Sequence, residues 1–465
     1  MIRDIKNYSL RSSFLKGEFA LASWESIERV ISAANVFLIL KFLTLYDYGV
    51  YQLVLAFYSL VSSFLLDSIH EVVTNDLSRF LKENKFGNFK KLFSEYAFFR
   101  IGVGFITTLV IFFGAGIVSG YYGQNVQGYV KIIALLFIIE SCRKVLISVF
   151  KTYLHFSLLG SQAVLIALVK LVSFALLIKF NSFNIFWIIA AHVGAYGISL
   201  LFMFFRFLAL YARQFGLQAG EKTSMFWQIL KNHGKWAVIG EQASRINQNI
   251  RPWLIKFLIN TEAVAVFSLT FGLVSMLSSL VPARTVSSLI PRELNNKERL
   301  RFIYANGIKF IAILGLILSG VAYFAFPVAI NLILPKYNLV LPYFKILIFA
   351  FVPVSGFIIL TRTTLVALRE QKALFTRPLF QIASIVVFSF LLIPRFGIWG
   401  AVGQIAHTNF ILGYILYRYL IKVRPELKLE SKKLLGFSRE DFQFIKENFI
   451  FVVRGLMVKL KVIKV

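Results

Sequence analysis

The sequence predicts an all-α integral membrane protein of about twelve transmembrane helices, arranged as two six-helix bundles that form a parallel repeat. Three observations predict it. Apolar runs near the ~20-residue length that crosses a bilayer recur along the whole chain, which has 465 residues, 58% of them hydrophobic and 16% charged. The polar gaps between these runs alternate between Lys/Arg-rich and nearly free of positive charge. A pattern in the first half also returns in the second: Glu25 and Arg29 become Glu241 and Arg245, a displacement of 216 residues (241 − 25 and 245 − 29). At that offset Tyr51-Gln52-Leu53 through Ser62-Ser63 lines up with Phe267-Ser268-Leu269 through Ser278-Ser279.

The first expected span runs from Gly17 to Leu43 behind Arg3, Lys6, Arg11 and Lys16. Acidic residues interrupt it and no small-residue cleavage site follows, so it reads as a retained helix. The others of the first half are Val50 to Ile69, Ala97 to Gly120, Val130 to Phe150, Ser161 to Phe180 and Ile185 to Leu208. The second half repeats the plan at Trp236 to Ile259, Ala263 to Ser287, Tyr304 to Val328, Leu341 to Leu365, Leu379 to Ile393 and Gly397 to Leu420. The domain plan is thus a bundle over 1–210, a cytoplasmic linker over 211–235, a second bundle over 236–420 and a basic tail over 421–465.

Charge sets the orientation. Arg79, Lys82, Lys85, Lys90 and Lys91 follow the second span, and Arg213, Lys222, Lys231 and Lys235 follow the sixth. Arg292, Lys297, Arg299 and Arg301 follow the eighth, and Arg369, Lys372 and Arg377 the tenth. Other gaps, such as 44–49 and 181–184, are short and nearly lack positive charge. Both termini are therefore expected in the cytoplasm, and six helices per half give the two halves the same orientation. The net charge of +29 is explained by this topology, and nucleic acid is not an expected partner. In the tail, Ser438-Arg439-Glu440-Asp441 has a capping-box pattern, and Phe442, Ile445, Phe449, Val452, Leu456 and Leu460 recur at helical spacing. A helix lying on anionic lipid fits this pattern, with packing on the protein's own loops as the alternative.

Cys142 is the sole cysteine, so neither an intramolecular disulfide nor a thiolate metal cluster is expected. No phosphate-binding loop of nucleotide hydrolases and no His-Glu-x-x-His occurs. Instead the chemistry lies in charges inside the spans, each costing about 2.5 to 3.5 kcal/mol if it faced the bilayer centre. They must pair or line water. Arg29, Arg143, Lys144, Arg245 and Arg251 are the candidate cationic contacts for an anionic substrate, because a guanidinium fork matches phosphate oxygens bidentately. Glu25, Glu28, Glu140 and Glu241 are candidates for coupling to H+ or Na+. Glu25 with Arg29, and Glu241 with Arg245, are equally readable as four-apart ion pairs that cancel each other. Arg251 has no acid three or four residues away, and Pro252 is expected to kink or break its helix. His192 and His407 read as buried structural histidines more readily than as proton relays.

The segment Leu43-Thr44-Leu45-Tyr46-Asp47-Tyr48-Gly49-Val50-Tyr51 resembles the stretch between the first two helices of bacterial polysaccharide flippases. Leu66-Asp67 with Thr74-Asn75-Asp76-Leu77-Ser78-Arg79 is similar to their second-helix exit, and Ile393-Pro394-Arg395-Phe396-Gly397-Ile398-Trp399-Gly400-Ala401 to the start of their final helix. These are the Wzx-type O-antigen and exopolysaccharide transporters of the multidrug/oligosaccharidyl-lipid/polysaccharide (MOP) superfamily. The resemblance implies two bundles with alternating access in the bacterial cytoplasmic membrane, and a cationic cavity for an undecaprenyl-pyrophosphate-linked oligosaccharide. It also implies no enzymatic step, and it points to polysaccharide polymerase and chain-length machinery as partners. Leu334-Pro335-Lys336-Tyr337 stands where the family often has a glycine-bearing loop, and there is no room for the extra helical pair of lipid II flippases. A cation-coupled multidrug exporter of the same superfamily is the alternative, disfavoured by the Arg and Lys excess in the first, fourth and seventh spans. A polymerase or glycosyltransferase would need a long outward loop, and the outward gaps here are short.

Overall fold

The computed structural model describes residues 23–65, 67–122, 126–214, 225–229, 235–287, 289–368 and 370–429. Most of the basic tail, from residue 430 onward, lies outside the described residues, as does most of the linker. The described chain is helical throughout, with no strand, and it divides into two compact units that meet in sequence between Ile246 and Asn247.

In the first unit, α1 (residues 23–42) leads to α2 (Leu45–Ser62), whose start is capped by the Thr44 hydroxyl accepting the Asp47 N–H at 3.1 Å. The hydroxyls of Ser62 and Ser63 bond back to the carbonyls of Ser59 and Leu60 at 2.9 and 2.6 Å. Such back-bonding competes with the helix ladder, and the chain passes through a 3₁₀ turn, Ser63–Leu65, into α3 (Asp67–Lys82). Ile69, Val73, Leu77 and Phe80 of α3 pack on Phe89, Leu92 and Tyr96 of α4 (Phe86–Tyr122). At ~1.5 Å per residue, the 37 residues of α4 span about 55 Å, well beyond a ~30 Å hydrocarbon core. Its first turns thus extend outside the hydrocarbon layer, beside α3. Then come α5 (Gln127–Thr152), α6 (Phe156–Lys179) and α7 (Ile185–Gln214). The short α8 (Phe226–Ile229) is held on α4 by Glu95, which accepts the N–H groups of Met225 and Phe226 at 3.1 and 3.0 Å. α9 (Lys235–Leu258) runs through the division between the units.

The second unit repeats the element order with α10 (Thr261–Leu280), α11 (Ala283–Ser287), α12 (Lys297–Ile333), α13 (Leu341–Ala367), α14 (Gln371–Phe396) and α15 (Ile398–Val423). The 216-residue offset holds at the level of single bonds. Asn260, 216 residues past Thr44, caps α10 by accepting the Ala263 N–H at 2.8 Å, where Ala263 is 216 past Asp47. Tyr48, Gly49, Val50, Tyr51, Leu53 and Val54 are buried, and so are Val264, Ala265, Val266, Phe267, Leu269 and Thr270, their counterparts at that offset. α4 and α12 are both 37 residues long. The fold class is therefore the expected one, an all-α membrane protein built as a two-fold repeat.

Among the described residues, seven helical stretches are long and apolar enough to cross a membrane: α4, α6, α7, α10, α12, α13 with its preceding 3₁₀ turn, and α14. Others, α5 and α9 among them, carry several charges that lower their hydropathy. Two expected spans end early. The second stops at the Ser62-Ser63 bend, and the eighth stops at Leu280, because Val281 precedes Pro282 and takes an extended conformation (φ −72°, ψ 124°). Pro252 sits inside a continuous α9, so it does not break that helix.

Close helix packing depends on small residues, as expected where lipid offers no hydrophobic drive. A Cβ on Gly315 of α12 would lie 2.9 Å from the Pro353 Cα of α13, a backbone atom that cannot swing aside. Gly315→Val is expected to cost about 1–3 kcal/mol by overpacking. A lowered melting midpoint in detergent, followed by fluorescence-detected gel filtration, checks it; an unchanged midpoint would refute this packing.

Candidate functional site

The α2–α3 bend places Asp67 at the start of a helix. Two arginines converge on it. Arg100 of α4, only 2% exposed, donates Nη2 to one carboxylate oxygen, and Arg245 of α9 donates Nη2 to the other. Lys144 of α5 lies near enough to act on Asp67 electrostatically. One turn along α3, His70 Nδ1 pairs with the Tyr96 hydroxyl at 3.1 Å. One turn before Arg245, the Gln242 amide donates to the Ser63 carbonyl in the bend. α9 thus seats two side chains, three residues apart, on the break between α2 and α3.

A second cluster lies in the same unit. Arg143 binds Glu140 through Nε at 3.1 Å and Nη2 at 2.8 Å, while its Nη1 reaches Gln162 Oε1 at 2.7 Å. That same Gln162 oxygen accepts the Ser199 hydroxyl at 3.0 Å. Arg143 and Lys170 stand 5.2 and 5.0 Å from the Tyr196 ring centroid, and His192 stacks on that ring at 5.1 Å. Arg143 therefore has an acid partner inside its own helix, and its remaining donor is directed by an amide.

On α1, Glu25 and Arg29 face each other at 3.8 Å with side chains 52% and 62% exposed, so they are not buried within the protein. Glu28 accepts the Ser32 hydroxyl. The Glu241 side chain lies outside the described residues.

In the second unit Arg251 is 8% exposed. Its Nε donates to Gln404 Oε1 at 3.2 Å and its Nη1 to the Asn247 carbonyl at 3.4 Å, with the Phe271 ring centroid 6.0 Å away. Gln404 is oriented by its own amide, which donates to the Thr408 hydroxyl at 2.7 Å, so only its oxygen can face the guanidinium. Among the described residues no carboxylate pairs with Arg251.

The candidate cations therefore fall into separate groups: Lys144 and Arg245 around Asp67, Arg143 with Glu140, Arg29 on α1, and Arg251 in the second unit. Sequence reading missed Asp67 and Arg100 as site residues. Asp67 stands at a helix junction, where an acid reads as an ordinary first-turn charge. Arg100 stands near the inner end of an apolar run, where a cation reads as an orientation signal. Among the described residues no cluster of His, Cys, Asp and Glu suited to a metal occurs.

Residues 38–342 match the family described as polysaccharide biosynthesis protein. No curated protein matches the chain in sequence. Among solved structures, the chain is similar to a multidrug resistance MATE family transporter of the MOP superfamily in an inward-facing conformation, with TM-score 0.71 and 12% identity over 88% of this chain and 99% of that one. It also resembles a mutant of the Vibrio cholerae MATE transporter VcmN, with TM-score 0.61 and 15% identity over 90% and 99% of the two chains. A third likeness is to a Pyrococcus furiosus MOP superfamily transporter, described as having reverse polarity of its binding pocket, with TM-score 0.60 and 12% identity over 90% and 96%. The matched residues cover more than half of the sequence, so the chain belongs to the polysaccharide biosynthesis protein family, built on the fold of the MOP superfamily transporters.

Proposed function

We propose that the protein is a flippase for lipid-linked oligosaccharides, moving undecaprenyl-pyrophosphate-linked sugar units across the cytoplasmic membrane for surface polysaccharide assembly. The observation that carries this reading is Arg251. It is a buried guanidinium whose described partners are neutral, an amide oxygen and a backbone carbonyl. Keeping a charge in such a place costs several kcal/mol unless something compensates it, and an anionic substrate is that compensation. Family membership supports the same direction. In this reading the pyrophosphate meets Arg251, the polyprenyl tail stays in lipid, and alternating access re-exposes the head group outside. If export is coupled to H+ or Na+, Glu28 and Glu241 are the acids to test first, because Glu140 is committed to Arg143 and Glu25 faces Arg29.

The alternative, a cation-coupled multidrug exporter, draws on the fold shared with multidrug transporters. It calls for buried acids facing organic cations. Deleting the gene and analysing surface glycan together with lipid-linked intermediates separates the two. Loss of one polymer with build-up of its undecaprenyl-linked unit on the inner leaflet is the expected result. Intact glycan with new sensitivity to cationic drugs would overturn the flippase reading.

A further inference from the structure

We infer that the Asp67–Arg245 ion pair is a latch that a pyrophosphate group opens, the phosphate oxygens taking Arg245 from the Asp67 carboxylate. The inference rests on the flippase reading for its ligand and on the first unit alone for its geometry.

The two arginines on Asp67 are unequal. Arg100 is 2% exposed and lies against the packed α3–α4 face, whereas the Arg245 side chain is 27% exposed and Asp67 itself 13%. Arg100 therefore stays with the carboxylate, and Arg245 is the member that an incoming group can reach. A guanidinium fork donates to carboxylate and phosphate oxygens alike, so the two anions compete for Arg245.

Charge favours the exchange. Arg100, Lys144 and Arg245 all act on the Asp67 carboxylate, so an incoming anion arrives where three cations stand. A pyrophosphate diester carries two negative charges against the one of Asp67, and Asp67 falls back on Arg100 and keeps a partner. No charge is stranded in either state, and this keeps the swap inexpensive.

Position also fits. α3 runs from Asp67 into the gap holding Arg79, Lys82, Lys85, Lys90 and Lys91, which the charge pattern assigns to the cytoplasm. The pair thus stands on the side where a lipid-borne pyrophosphate begins its passage. Arg245 and Gln242 together seat α9 on the α2–α3 bend, through Asp67 and the Ser63 carbonyl. Capture of Arg245 removes the charged half of that seat and leaves one neutral hydrogen bond, so ligand binding loosens the opening helix of the second half. A ligand moves an equilibrium only by its differential affinity for the two states, and here that difference is the broken ion pair.

The test uses the full-length protein in phosphatidylcholine nanodiscs, titrated with inorganic pyrophosphate or with polyprenyl pyrophosphate placed in the bilayer. Asp67→Asn removes the internal competitor and is expected to tighten binding about tenfold, whereas Arg245→Gln abolishes it. Unchanged or weaker binding in Asp67→Asn would overturn the latch. A second measurement leaves the ion pair intact: with Cys142→Ser as background, Gln242→Cys is labelled by a thiol reagent with and without ligand. Labelling about tenfold faster with pyrophosphate is expected, and an equal rate overturns the proposal. A response to both ligands assigns the site to the phosphate group itself, and a response to the polyprenyl form alone assigns it to a lipid-borne pyrophosphate. An equal response to anionic phospholipid alone overturns pyrophosphate as the occupant. Glycan loss on gene deletion with a latch indifferent to pyrophosphate would sink the latch only. A pyrophosphate-driven latch with intact glycan would sink the flippase reading and leave the latch.

Discussion

Replacing Arg100 by alanine is expected to destabilise the protein by about 3 kcal/mol, the lower end of the range for removing one partner of a buried ion pair. The side chain is 2% exposed, and it holds a carboxylate that is itself largely covered. Arg245 remains on the other carboxylate oxygen, which is why the lower end applies. The cost comes from the charge left behind and not from the worth of the pair. Replacing both members should therefore recover much of it: Arg100→Ala combined with Asp67→Asn is expected to melt above Arg100→Ala alone. Melting followed by fluorescence-detected gel filtration in detergent reads this directly. If Arg100→Ala melted like the wild type, the pair would contribute nothing. If the double variant melted lower still, the stranded-charge account would be wrong.

Arg251→Gln is expected to slow export by roughly ten- to 150-fold, the worth of about 1.5–3 kcal/mol for a hydrogen-bonded charge. The substitution keeps an amide near Gln404, so packing changes little while the charge goes. Arg251→Lys should retain part of the rate, because the charge stays and the fork is lost. Gln404→Ala should fall between them, since it frees the guanidinium to rotate without neutralising it. Accumulation of the lipid-linked intermediate on the inner leaflet, quantified against wild type, is the measurement. Normal export from a strain with both Arg245 and Arg251 changed to Ala would end the assignment of these arginines to substrate.

Much of the architecture was legible before any coordinates. The Glu-x-x-x-Arg steps and the Tyr51 to Ser63 segment recur at an offset of 216 residues, and the structure carries that offset into the caps at Thr44 and Asn260. The errors fell where local chemistry overrides hydropathy. Apolar residues continue past Ser63, so a hydropathy window runs on, but the chain passes there into a 3₁₀ turn, and before Pro282 the extended Val281 stops the other helix. That Arg251 lacks an acid three or four residues away can be read from the letters alone, because those positions share its helix face. Arg143 shows the reverse: Glu140 was visible three residues away, and the structure joins the two.

By itself the sequence determined that this is a polytopic helical membrane protein and that its two halves repeat. The bilayer requires each segment to satisfy its own backbone within a set length, and a constraint met segment by segment can be read segment by segment. Only the tertiary structure decided which acid meets which arginine. Asp67 is 33 residues from Arg100 and 178 from Arg245, and no periodicity links them. Their meeting follows from a bend between α2 and α3 and from where α4 and α9 pack against it, because an ion pair inside a membrane is a property of three-dimensional proximity.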